Sequence, residues 1–349
     1  MNSNDKGGKC PLSPRLRVYF IVVCVIVIAL VVLFASRASK DESTGGANEM
    51  TISAFSAEEK LIAFTDSLGQ EITIPQPKRV VSLMGSFTEI WLLAGGKDTL
   101  VGTAVDTQDK RDMGLPETVV NVGTYQSPNL EAILAAEPDL VLLSSETVRT
   151  DSHVSFRNSL AAAGIPAAYF SVTHFPDYLN MLEICCRLTG NQQAYEENGH
   201  KVEAEVKEAI SYYKVPHNPT ALVLITFSGG VRPQASTTMT GGILAELGAK
   251  NIIDDYPSLL KDFSMEKVIE IDPDYIFAIP MGYTDEEAIR ALTVSVEENP
   301  AWNVLTAVKN KRYHPLPPEK FMFKPNNRWA ESYRYLGEFL KNNPTDTND

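Results

Sequence analysis

Cysteine and histidine are scarce in this chain, cationic side chains are outnumbered, and each shortage removes a class of chemistry. Four cysteines occur in 349 residues, and two of them, Cys10 and Cys24, fall in the N-terminal segment. Neighbouring residues on a helix point about 100° apart and vicinal disulfides are strained. The remaining pair, Cys185 and Cys186, therefore reads as small buried apolar residues rather than a redox couple. The five histidines show no H-x-x-x-H spacing, so no preformed metal site is expected. Also missing are G-x-S-x-G, G-x-x-x-x-G-K-[ST] and a G-x-G-x-x-G after a strand, the backbone devices of nucleophilic and nucleotide-dependent catalysis. No enzyme and no resident cofactor are expected.

Positive charge is concentrated at one end. Lys6, Lys9, Arg15, Arg17 and Arg37 against Asp5 give residues 1–38 a net +4, so the rest of a chain of net −13 carries −17. An outer part this acidic argues against nucleic acid or anionic lipid as a partner of that part. Between the basic residues runs an uncharged apolar stretch, Val18 to Ala35, long enough to cross a bilayer as a helix. The flanking charges put its N-terminus inside and everything after Arg37 outside. A retained membrane anchor and a cleaved signal segment ending near Ser36-Arg37-Ala38 both fit. Cys24 as a lipidated residue fits less well, because Val22-Val23 precede it. Either way the protein is expected outside the cytoplasm, tethered to the membrane unless the segment is removed.

Residues 39–57 are rich in small and acidic residues and read as a flexible tether. Asp66-Ser67-Leu68-Gly69 between Leu61–Thr65 and Glu71–Ile74 is a hairpin signal. Apolar strand patterns then alternate with helical ones, which implies βαβ units and largely parallel sheets. Gln192 to Lys214 breaks the alternation with Val202, Val206 and Ile210 at every fourth position, one long helix. The expected organisation is an N-terminal α/β lobe at 58–190, an interlobe helix at 191–215 and a second α/β lobe at 216–345. Its fold class is α/β: two Rossmann-like lobes with mainly parallel sheets joined by one long rigid interlobe helix.

An internal repeat supports paired lobes. Asn129-Leu-Glu-Ala-Ile-Leu-Ala-Ala-Glu-Pro-Asp-Leu-Val-Leu aligns with Ser264-Met-Glu-Lys-Val-Ile-Glu-Ile-Asp-Pro-Asp-Tyr-Ile-Phe. Each copy is a capped helix, a Pro-Asp stop and a buried strand. In open parallel sheets ligands lie beyond the C-terminal strand ends. Those ends supply Met84-Gly85-Ser86, Asp106-Thr107, Ser144-Ser145-Glu146, Phe170-Ser171, Phe227-Ser228-Gly229-Gly230 and Ile279-Pro280-Met281. Hydroxyls, aromatics and Met, without concentrated acid–base groups, suit binding of a bulky, partly apolar ligand better than a reaction.

With this repeat, Arg79-Val-Val-Ser-Leu, Thr88-Glu89, Gly123-Thr-Tyr-Gln-Ser-Pro-Asn-Leu-Glu and Phe323-Lys-Pro-Asn-Asn-Arg-Trp, the chain resembles the class III substrate-binding proteins of ABC importers. The resemblance runs from about Arg79 to Lys341. It implies a monomer that captures an iron complex (ferric siderophore or haem) and delivers it to a permease. Cobalamin is the alternative ligand within the family. A metallocluster enzyme on a related fold is disfavoured, because it needs clustered cysteines. The resemblance assigns permease docking to Glu131 and Glu266, and cleft positions to Tyr125, Phe227 and Trp329. Met84, Met239, Met281 and Met322 fall in candidate cleft loops with Gly85, Ser86 and Ser145, while Lys324 and Arg328 suit a ligand carboxylate. Tyr125 or Met84 is a candidate axial ligand if the cargo is haem.

Overall fold

The computed structural model describes residues 60–105, 113–147, 151–281, 285–294, 298 and 300–342. It opens on an antiparallel hairpin of β1 (Ile62–Thr65) and β2 (Glu71–Ile74). Asp66 builds the turn: its Oδ1 accepts from the Leu68 and Gln70 amides at 2.9 Å each. The other carboxylate oxygen accepts from the Tyr169 amide at 3.1 Å. One side chain thus shapes the turn and fastens it to the first sheet.

That sheet holds β3 (Val80–Ser82), β4 (Leu100–Thr103), β5 (Val120–Asn121), β6 (Leu140–Ser144) and β7 (Ala167–Phe170). All its pairs are parallel, in the order β5-β4-β3-β6-β7. The second sheet contains β8 (Thr220–Phe227), β9 (Gly230–Gln234), β10 (Lys250–Asn251), β11 (Tyr275–Pro280) and β12 (Tyr313–Pro315). Its parallel order is β10-β8-β11-β12, and β9 folds back antiparallel on β8. The strand-end loop expected at Phe227–Gly230 is thus a tight hairpin turn, Phe227 pairing with Gly230. Pro233 is tolerated in β9 because, among the described residues, β8 is its only strand partner.

The duplicated unit repeats in conformation as well as in sequence. Asn129 Oδ1 caps helix Leu130–Ala135 by accepting from the Ala132 amide, and Ser264 Oγ caps helix Met265–Ile271 by accepting from the Lys267 amide. Glu137 and Asp272 then take left-handed φ values of 46° and 48°. Each precedes a proline, which disfavours the right-handed helical region in the residue before it. Asp139 accepts from the Lys78 and Arg79 amides at 2.8 and 3.0 Å. Asp274 accepts from the Thr220 amide and hydroxyl at 2.7 and 2.8 Å. The Pro-Asp step therefore holds the start of a neighbouring strand in each lobe, β3 in one and β8 in the other.

Alternate strand residues feed different cores. Val81, Val141, Leu143 and Tyr169 point into a core belonging to the first lobe alone, and Leu222, Leu224, Ile276 and Ala278 into one belonging to the second. On the opposite faces Val80, Leu140, Phe170, Val223, Phe277 and Ile279 join a single core shared by both lobes. Val202, Val206 and Ala209 of the connecting segment belong to that shared core, as do Trp329, Tyr333 and Leu336 of the last helix, Trp329–Asn342. The connecting segment is α-helical at Gln192–Tyr195, widens into a π turn at Glu196–His200 and resumes as α-helix at Lys201–Tyr213. Cys185 and Cys186 are buried and free, and burial pushes the Cys186 thiol up to about 11, as suits inert packing residues. Among the described residues no helix is long and apolar enough to cross a membrane. The Val18–Ala35 run, the tether and the Asp106-Thr107 loop lie outside the described residues.

Candidate functional site

The two lobes meet along a seam where β3 runs into helix Gly85–Leu93 and the segment Lys324–Trp329 lies across it. Asn326 is the centre of this junction. Its side chain is fully buried and its backbone is left-handed at φ 52°, a conformation asparagine tolerates better than most residues. Asn326 Nδ2 donates to the Ser86 carbonyl at 3.0 Å and to Glu89 Oε2 at 2.5 Å. Arg328 binds the other Glu89 oxygen at 3.1 Å. Beside them the Phe175 and Trp329 rings meet edge to face, centroids 5.8 Å apart. Gly242, in helix Met239–Glu246, approaches the first lobe so closely that a Cβ there would lie 2.6 Å from His174 Nδ1.

A second group sits at the end of β6. Tyr125 Oη lies 3.5 Å from Glu146 Oε2, and the Glu146 amide donates to Ser144 Oγ at 3.3 Å. Burial first, and the Glu146 charge second, hold the Tyr125 phenol above its ordinary value, which works against a phenolate donor in the absence of a metal. Burial lowers the Lys324 ammonium, while the charges of Glu146 and Asp177 act in the opposite direction.

Not all the expected residues meet. Gly85, Ser86, Lys324, Arg328 and Trp329 are at the seam, and Tyr125 and Ser145 belong to the group at the end of β6. Trp329 is fully buried and Met239 nearly so, both inside the shared core. Met84, Met281 and Met322 pack partly buried against that same core. Phe227 is half-buried at the β8–β9 turn. Glu131 and Glu266 are exposed in the first turns of the two repeated helices. Sequence reasoning placed Glu146 among the strand-end residues but gave no site role to it, to Asn326 or to Glu89. The Pro-Asn-Asn turn before the last helix was the available signal for Asn326.

Three buried polar atoms at the seam, Ser86 Oγ, Asn326 Oδ1 and Trp329 Nε1, have no hydrogen-bond partner among the described residues. Buried polar atoms are rarely left so unless water or a ligand completes them. A depression of about 330 Å³ lined by Pro77, Pro138 and Ile165 lies at the opposite, N-terminal ends of the strands, away from where parallel sheets bind ligands. No group of three or more His, Cys, Asp or Glu suited to a metal ion occurs among the described residues.

Two sheets with parallel centres, a shared core and a polar seam between them define a bilobed α/β binding protein. The chain belongs to the periplasmic binding protein family, whose model matches residues 80–319. This is a non-catalytic, extracytoplasmic class that works with an ABC permease. Among its relatives, the iron-uptake system-binding protein of Bacillus subtilis is 25% identical over 307 residues, covering 83% of this chain and 88% of its own. The high-affinity heme uptake system protein IsdE of Staphylococcus aureus is 24% identical over 64% of this chain and 74% of its own. The solved periplasmic vitamin B12 binding protein BtuF of Vibrio cholerae superposes with a TM-score of 0.62 at 18% identity, covering 78% of this chain and 99% of that one. At that identity the likeness is one of fold.

Proposed function

We propose that this chain is the ligand-capturing component of an ABC importer for an iron complex, a ferric siderophore or haem, with cobalamin as the alternative cargo. The named iron, haem and vitamin B12 relatives support that range. The ligand occupies the seam between the lobes at 58–190 and 216–345, against Ser86, Tyr125, Lys324 and Arg328, with the partly buried Met84, Met281 and Met322 as adaptable walls. The N-terminal segment holds the monomer at the outer face of the membrane.

The observation that carries the importer reading is the duplicated unit. It gives each lobe one exposed glutamate, Glu131 or Glu266, in the first turn of an equivalent helix. Each repeated helix runs into a parallel strand, so its N-terminus is on the side of the C-terminal strand ends. Both carboxylates therefore lie on the side of the C-terminal strand ends, suited to arginines of a two-fold permease. Helix-end stabilisation alone would also favour an acid at either place, but not the pairing of the two. The test is the double reversal Glu131→Arg and Glu266→Arg. Importer-dependent uptake should be abolished while ligand affinity stays within about twofold. Lost affinity, or undiminished uptake, contradicts the docking role.

The segment 191–215 acts as a strut rather than a hinge. Its Val202, Val206 and Ala209 side chains sit in the core common to both lobes, so a large opening would expose buried apolar surface.

A further inference from the structure

We infer that the seam selects uncharged or cationic, amide-bearing metal complexes over polyanionic ones; this rests on the reading of the seam as the ligand site. Its cations already have partners within the protein. Arg328 is paired with Glu89 at 3.1 Å, and Glu89 is only 15% exposed and held again by fully buried Asn326. Lys324 lies in the field of two carboxylates, Glu146 and Asp177. Asp177 cannot swing away freely, because it accepts from the Thr173 and His174 amides at 3.0 and 2.8 Å. Three carboxylates thus face two cations. An incoming trianion would have to displace Glu89 from Arg328 and still sit beside it, and Glu89, only 15% exposed, is the least screened of these charges.

The atoms left without partners tell the same story from the other side. Ser86 Oγ, Asn326 Oδ1 and Trp329 Nε1 are neutral, and Asn326 Oδ1 can only accept. It calls for an N–H or O–H donor, and the Ser86 hydroxyl, which can donate, calls for a carbonyl or hydroxamate oxygen. A ligand rich in amide groups supplies both without adding charge. The carboxylate-bearing edge of a polyanionic complex does not.

The test uses the full chain in detergent micelles, titrated with four complexes and followed by visible absorption and tryptophan fluorescence. A ferric tris-hydroxamate and cyanocobalamin represent uncharged or cationic cargo; a ferric tris-catecholate and haemin represent anionic cargo. The tightest ligand is expected in the first pair, by at least about tenfold over either member of the second. Glu146→Gln and the double variant Glu89→Gln with Glu146→Gln should each narrow that gap at least about threefold, with thermal melting used to confirm folding. The single variant alters a side chain at an exposed position, so it keeps the test open if the double variant fails to fold. Tighter or equal binding of an anionic complex by the native chain overturns the inference and leaves the proposed function standing, as does an unchanged gap in the folded variants. Binding of none of the four overturns both.

Discussion

His314, in β12, stacks on Phe339 with ring centroids 3.9 Å apart and lies 5.6 Å from Phe277. Burial lowers its pKa from 6.5 to about 4. Between those values the unfolded chain binds a proton that the folded chain refuses, so stability falls as pH drops from 6.5 toward 4. The loss is complete below the folded value, and partial exposure of the ring limits it to about 1–2 kcal/mol. His314→Phe should flatten this limb when denaturant unfolding at pH 7 and pH 4.5 is compared; an unchanged pH dependence would contradict it. Residues of this kind are only partly legible in a sequence. Glu131 and Glu266 stood out because the repeat aligned them. Glu89 and Glu146 did not, because a carboxylate in a helical or loop pattern reads as solvated until its partner is known. The partners of Glu89 are Asn326 and Arg328, more than 230 positions away, and no local pattern encodes that pairing.

At the scale of elements, the last helix packs closely on the connecting one. A Cβ on Gly337 would lie 2.4 Å from the Tyr213 side chain at its Cβ and Cγ, atoms too near the backbone to move aside. Gly337→Ala gains about 1 kcal/mol of helix propensity, yet the forced separation should make the variant less stable by about 1–3 kcal/mol. A melting temperature equal to or above that of the native protein would overturn this. The helices and buried strands were readable because capping residues and apolar runs are local signals, as at Ser264 ahead of Met265–Ile271. Strand β9 was not: Ser228-Gly229-Gly230 suits a ligand loop as well as a hairpin turn, and only the pairing with β8 separates them. Strands β5 and β10, two residues each, are too short to carry any periodicity. The π turn at Glu196–His200 departs from the uninterrupted helix expected there. It brackets Gly199, whose Cβ would meet the Tyr195 ring at 2.9 Å.

For the whole molecule the governing feature is the core that both lobes share. Moving one lobe against the other must shear packed side chains from both sheets and from the connecting helix. Closure on binding is therefore expected to be a rotation of a few degrees to about ten. Small-angle scattering of ligand-free and ligand-loaded protein should give radii that nearly coincide, and a strong contraction would refute the strut. The seam also has a history in time. A chain made from its N-terminus completes the first sheet by Phe170 and the second by Pro315. Asn326, Arg328 and Trp329 emerge only afterwards, and they contact the first lobe at Ser86, Glu89 and Phe175. The Asn326 junction is thus the last part of the seam to be assembled. A chain interrupted just before Asn326 would carry every strand of both sheets together with Glu131 and Glu266, yet would lack that junction; on the proposed reading it keeps the docking glutamates and loses the ligand site.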